Sequence, residues 1–205
     1  VLATNAHPNL TVIADGHRCI NERAVLFDVT HDWSSQCAAA GPYARDRRIF
    51  APCWSTGEMV MGSESTLRRL VLEAEERAPG RSILLVQNGL SVLMNTDIER
   101  VSSTLSEELG RPVLYAQRQS TDSDWIDAWR DVTVALWPLH QSASGPSAPA
   151  MVGFPHYRNE GDGTANVSEM MRIWRGAGLP EAHWFGVGDA STKAPVGPEA
   201  PLFAF

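Results

Sequence analysis

Positive charge, long apolar runs and cysteine are all scarce in this sequence, and each scarcity excludes something. Only 17 Lys and Arg stand against 24 Asp and Glu, a formal charge of -7. Binding to nucleic acid rests on a dense Lys/Arg surface, so no nucleic-acid partner is expected. The pairs Arg47-Arg48 and Arg68-Arg69 are expected on solvated faces. No apolar run approaches the roughly 18 residues of a membrane-spanning helix, so no membrane partner is expected either. The stretch "VLATNAHPNL" has neither the basic start nor the apolar core of a secretory signal, and a cytoplasmic location is the default expectation. The opening Val and the strand-like ending "PLFAF" lead to the expectation that the natural chain is longer.

Cysteine is scarce and odd in number. Cys19, Cys37 and Cys53 all fall in the first quarter of the chain, which is not a disulfide framework. In a reducing compartment such thiols are small buried hydrophobes, metal or cluster ligands, or redox groups. No CxxC occurs, which excludes a zinc knuckle or a ferredoxin-type run. Three thiolates from separate loops are able to hold three irons of a four-iron cluster, the fourth going to another chain or another ligand. Spacing leaves that reading and simple packing both open. There is also no G-x-S-x-G, P-loop, GxGxxG or HExxH.

What is present is an ordinary globular composition, 43% hydrophobic and 20% charged, with alternating elements in the middle of the chain. "ESTLRRLVLEAEERA" (64–78) carries apolar residues at 67, 70, 71 and 74, a helical stripe that ends at Pro79-Gly80. "SILLVQ" (82–87) reads as a strand buried on both faces. "DIERVSSTLSEELG" (97–110) opens on an acid, repeats Ile98, Val101, Leu105 and Leu109 at helical spacing, and closes on Gly. "PVLYAQ" (112–117) is the next strand and "SDWIDAWRDVTVALW" (123–137) the next helix. Alternation with short links implies an α/β fold with a doubly wound, mainly parallel sheet of Rossmann-like type. The first fifty residues, poor in periodicity, are expected to form loops and short helices flanking that sheet. "PLHQSASGPSAPA" (138–150) reads as a linker. The pattern then restarts with a strand "AMVGFP" (150–155), a helix "NVSEMMRIWRGAG" (166–178) capped by Asn166 and Gly178, and a strand-like "AHWFGVG" (182–188). The expected domains are therefore 1–137, a linker at 138–150, and the incomplete start of a second α/β domain over 151–205.

In an open parallel sheet, ligands gather beyond the carboxyl ends of the strands. The loops "QNGLSVLMNT" (87–96) and "RQSTDSD" (118–124) are expected there, and segments 17–19 and 31–37 are candidates for the same edge. His17 and His31 suit a structural hydrogen bond, metal ligation or acid–base work. Asp32 adjoins His31, but neighbouring residues seldom point the same way. "GVGDAS" (186–191) suits a turn or an anion held by backbone N–H groups. Trp125, Trp129 and Trp174 are expected in the core.

The order of these segments resembles the nitrogenase component 1 family, whose members include the molybdenum–iron protein subunits, their cofactor-assembly homologues and subunits of dark-operative protochlorophyllide reductase. "HRCINERAV" resembles the family's first cluster cysteine with a small-residue helix, and "VTHDWSSQC" its strand-plus-"HGPxGC" element. "STGEMVMGSESTLRRLVLEA" is similar to the segment leading into a helix. "SILLVQNGLSVLMNTDIERVSSTLSEELGRPVLYAQ" follows the strand, cysteine loop, "iGDDi" turn, helix and next strand. "AMVGFPHYRNEGDGTANVSEMMRIWRGAGL" resembles the start of the family's second domain. The likeness spans most of 17–190, with each motif degenerate, and the family's subunit is about twice this length. Cys19 and Cys37 match its first two cluster ligands, at shorter spacing. Its third cysteine falls at Gly89, which cannot ligate, and Asp32 and Ser35 replace glycines of "HGPxGC". Cys53, in "APCWST", is a substitute ligand on this reading alone and not a family feature.

The resemblance implies an iron–sulfur oxidoreductase subunit with Cys19, Cys37 and Cys53 as ligands of an iron–sulfur cluster of the 4Fe-4S type, shared across a subunit interface. A homologous subunit or second copy and an ATP-dependent iron–sulfur reductase would be its partners, and the electrons would pass to a bound substrate or cofactor. The alternatives are a non-catalytic assembly scaffold for a metallocofactor or tetrapyrrole, and a cluster-less paralogue on the same fold.

Overall fold

The computed structural model describes residues 4, 7, 9–19, 48–118, 122, 124–141, 148–152, 162–185 and 201–204. They divide into two compact units.

The described part of the first unit runs from Asn9 to Leu136. In chain order it holds β1 (Leu10–Asp15), β2 (Ile49–Phe50), α1 (Thr56–Met61), α2 (Glu64–Arg77), β3 (Ser82–Gln87), α3 (Gly89–Leu93), α4 (Ile98–Leu109), β4 (Val113–Ala116) and α5 (Trp125–Leu136). The strands are parallel and lie in the order β2-β1-β3-β4, so the α/β fold class read from the sequence holds. The chain lays β2 on one side of β1 and β3 on the other, and this reversal opens a crevice at the carboxyl ends of β1 and β3. β1 and β3 pair over their whole length, from Leu10↔Ser82 to Asp15↔Gln87.

The apolar stripes decide which face each helix buries. Leu67, Leu70, Val71 and Ala74 of α2, with Ile98, Val101 and Leu105 of α4, pack on Ile13, Phe50, Ile83, Leu85 and Val113. Side chains alternate across a strand, so Asp15 and Gln87, in phase with Ile13 and Leu85, project on that same face. Exposed ion pairs such as Arg68–Glu108 join α2 to α4 and add little stability in water. Gly110, at φ 65°, ends α4 with its N–H bonded to Glu107 and that of Arg111 to Ser106, a six-residue closure that needs the left-handed conformation glycine adopts freely.

Several expectations are corrected. The first fifty residues do not merely flank the sheet: "LTVIAD" is its central strand, with every residue buried. Its apolar run is short and broken by Thr11, and no helical stripe leads into it. Arg48 is buried, not solvated, because it leads directly into β2 and its carbonyl accepts from Val12 N–H at 2.7 Å. Trp125 is half exposed, since the buried residues of α5, Val132, Thr133 and Leu136, lie toward its other end. Trp129 is half-buried, as is Trp174 in the second unit.

The second unit has a three-stranded parallel sheet of β5 (Ala150–Val152), β6 (His183–Trp184) and β7 (Leu202–Ala204), in the order β6-β5-β7. α6 (Asp162–Gly176) packs through Met170, Met171 and Trp174 around Met151. Asn166 lies inside α6 and is not its cap, because the polar stretch before it carries no periodic signal from which a start is readable. Gly178, at φ 71°, does close the helix: its N–H bonds to Arg175 and that of Leu179 to Trp174.

Leu84, fully buried on the central pair of strands, is expected to cost about 3 kcal/mol when replaced by Ala. Val60→Ala, at a site 78% exposed, should stay within about 0.5 kcal/mol. Urea denaturation checks both, and equal effects would contradict this core.

Candidate functional site

At the crevice between β1 and β3, the chain brings together residues from five segments. β1 ends on Asp15, whose side chain is wholly buried. Its Oδ1 accepts from Trp54 Nε1 at 2.9 Å and its Oδ2 from Ser63 Oγ at 3.2 Å. Trp54 comes from the loop after β2, and Ser63 stands immediately before α2. The main-chain oxygen of Asp15 accepts from Ser91 Oγ at 2.8 Å and from the Asn88 side-chain amide. Asn88 Oδ1 in turn accepts from the N–H groups of Leu90 and Ser91, capping α3. Gln87 Nε2 donates to the carbonyl of Thr96 at 3.0 Å, and the Thr96 hydroxyl lies 3.5 Å from that of Ser63.

Burial raises the Asp15 carboxyl above its usual 3.8, while the donors Ser63, Ser91, Trp54 and Thr96 pull it down. Loss of water is the larger effect.

Sequence reasoning placed the 87–96 loop and segment 17–19 at this edge, and they are there. It missed Asp15, Trp54, Ser63 and Asn88. Asn88 is the one with a sequence signal, an Asn beside Gly at the end of an apolar run. The 87–96 stretch is also not all loop, since Gly89–Leu93 is a short helix.

The thiols are distributed over the loops that leave this edge. Cys19 follows β1 and is exposed; Cys53 follows β2 and is half-buried; both are free. Cys53 has φ 53°, a left-handed conformation that disfavours a residue with a Cβ. Trp54 holds it there, through its indole bond to Asp15 and a long 3.5 Å bond from its N–H to the Gly16 carbonyl. His17 is half-buried beside Cys19. Gly89 opens α3, and a Cβ added to it would meet nothing within 4 Å. Cys37, His31, Asp32 and "GVGDAS" lie outside the described residues. Among the described residues no three His, Cys, Asp or Glu side chains gather around one point able to hold a metal ion. These residues supply two thiols at the edge and not a complete ligand set, so no chemical step is derived through a cluster.

The second unit has a polar cluster of its own. His140 Nδ1 and His183 Nε2 lie 2.8 Å apart, both rings buried, with the His7 ring edge-on to His140 at 4.9 Å and Phe185 against His140 at 4.2 Å. One proton is shared between the two facing nitrogens. His140 stands in the stretch read as a linker from its composition.

Nitrogenase Cp1 determined at pH 6.5 superposes with a TM-score of 0.66 over 97% of this chain, at 15% identity. The same protein at pH 5 gives 0.59 over 92%, again at 15% identity. The fold is nitrogenase-like. The chain spans 42% and 39% of the length of those two chains. No protein-family profile and no curated protein matches the sequence. The nitrogenase-like fold accords with the α/β architecture expected above, and no described helix is long and apolar enough to cross a membrane.

The Asp15 environment sets a pH dependence. Its folded value lies above the unfolded one, so its favourable contribution is complete below about pH 3.8 and is lost as pH rises through the folded value. Asp15→Asn should abolish that part of the slope in denaturation curves measured across the pH series. An unchanged slope would contradict the assignment. Trp54→Phe, which keeps the ring and removes the donor, is expected to cost about 1.5–3 kcal/mol at a pH where Asp15 is ionised.

Proposed function

We propose that this chain is a nitrogenase-like redox subunit whose carboxyl edge holds an iron–sulfur cluster through Cys19, Cys37 and Cys53. The observation that carries the reading is the emergence of Cys19 and Cys53 from the loops after the adjacent strands β1 and β2, at the carboxyl edge of the sheet. Cys37 completes the set on this reading. A thiolate-held cluster supplies one-electron chemistry, with its potential set by burial and by hydrogen bonds to sulfur. The chain's own share is positional. Trp54 fixes the backbone at Cys53, and Asn88 and Ser91 fix the loop beside it, so that ligands do not have to be ordered when the group binds.

The electrons would come from an ATP-dependent iron–sulfur reductase and leave to a bound substrate or cofactor. A homologous subunit or second copy would cover the group. Exposed Met59, Val60 and Met61 on α1 and Leu93 on α3 favour such a partner, since they leave apolar surface in water next to the thiol loops. A second reading is a carrier that holds a metallocofactor during assembly, with a cluster-less paralogue as the limiting case. Gly89 favours the carrier, because an incomplete thiolate set leaves a bound group open for transfer.

Anaerobic purification with iron and sulfide quantification tests the proposal. Bound iron and sulfide are expected in the wild type and lost in a Cys19→Ala, Cys37→Ala double variant. Gly89→Cys, which has room for the side chain, should raise iron per chain. A colourless, iron-free wild type that Gly89→Cys leaves unchanged would overturn the cluster reading. Where iron is bound, reduction that requires ATP and an iron-protein partner separates the redox subunit from the carrier.

A further inference from the structure

Asp15 and Gln87 are partners in the β1–β3 register, and register partners in a parallel pair project side by side on one face. Both are more than nine-tenths buried. Both connect to Thr96, Gln87 through the Thr96 carbonyl and Asp15 by way of Ser63, whose hydroxyl lies 3.5 Å from that of Thr96. Gln87 Nε2 is committed to the Thr96 carbonyl, which fixes the amide, since a flip would set two carbonyl oxygens against each other. Gln87 Oε1 then points elsewhere, buried, with no donor among the described groups. A buried amide oxygen without a donor costs about as much as a lost hydrogen bond. Asp15, the register partner of Gln87 on the same face, becomes a donor in its acid form.

We infer that Asp15 and Gln87 form a proton-exchange site, in which protonated Asp15 donates its O–H to Gln87 Oε1 and ionised Asp15 is held by Trp54 and Ser63. Each state has its own partners. In the acid form the proton satisfies the Gln87 oxygen. When it leaves, the negative charge stays on a carboxylate that accepts from Trp54 Nε1 and Ser63 Oγ. Among the described residues no charged side chain acts on Asp15: the groups that do are Trp54 from the β2 loop, Ser63 before α2, Ser91 on α3 and Thr96 before α4, with Gln87 beside it in the β1–β3 register. On the functional reading above, such a site would release one proton for an electron delivered at the thiol loops, the electron coming from the reductase and the proton from Asp15. That use rests on the proposed function. The proton exchange does not.

The two are separated by measuring protonation on the protein without iron. In the wild type labelled with carbon-13, the Asp15 carboxyl resonance is followed from pH 4 to pH 9, beside the carboxylic-acid band in the infrared. The expected result is one carboxyl that titrates above the ordinary Asp value, its infrared band absent in Asp15→Asn. In Gln87→Leu the acid form loses its acceptor, so the midpoint should fall by about one pH unit, a tenfold change in proton affinity. A carboxyl ionised across the whole range would overturn the inference, and the wild-type titration reads this even if a variant fails to fold. So would a midpoint unmoved in Gln87→Leu, or a titration abolished by sodium or potassium chloride but not by choline chloride, which would make the site one for a cation. Normal titration in a chain that never binds iron would leave the proton site standing and remove only its proposed use.

Discussion

The Asp15 carboxyl, buried at the end of the central strand, accepts from Trp54 and Ser63, while the main-chain oxygen of the same residue accepts from Ser91 and Asn88. The end of one strand therefore anchors the loop after β2, the start of α2, and the loop and short helix after β3. An ionised carboxylate taken out of water loses several kcal/mol even after relaxation. Hydrogen bonds to a charged group return about 1.5–3 kcal/mol each. The balance is narrow, and the site keeps its shape only while every donor is in place. Such networks specify geometry more than they add stability.

That geometry is what the thiol loops inherit. Cys53 sits at a positive φ, a conformation that costs on the order of 1 kcal/mol for a residue with a Cβ. The chain holds it there because Trp54, one residue on, is fixed both by its side chain and by its backbone. Strain next to an over-determined residue is what a positioned ligand looks like. It is also what a tight exit from a two-residue strand looks like. Cys19, exposed and four residues beyond β1, is under no comparable constraint among the described residues.

The sequence made legible whatever rests on local periodicity or a terminal glycine. The stripe of Leu67, Leu70, Val71 and Ala74, the run "SILLVQ", and the closures at Gly110 and Gly178 each follow from chemistry within one element. Asp15 was illegible for a different reason. It is one acid at the end of six buried residues, and its partners lie 39 and 48 positions away; nothing near it in sequence reports them. β1 was missed because Thr11 breaks its short apolar run and no helical stripe leads into it, as one leads into "SILLVQ". The strand-then-cysteine element expected at 29–37 lies outside the described residues; among these, Cys19 follows β1 and Cys53 follows β2. His140 was hidden by composition, since Pro, Ser, Ala and Gly around it mask one residue whose partner, His183, is 43 positions on.

Gly89 bears on the choice between an oxidoreductase and a carrier in a way that its lack of a side chain does not suggest. The loop it occupies takes its shape from Asn88, which caps α3, and from the bonds of Asn88 and Ser91 to Asp15. None of these involves the side chain at 89, and a Cβ there would project into open space. The edge therefore keeps its form whether or not a thiolate is present at that position. Shape and ligand count are independent at this site, so a nitrogenase-like fold is compatible with either role. Three thiolates hold three irons of a four-iron cluster and leave one to a ligand from another chain; fewer leave more irons open, and a group so held is one that can be handed on.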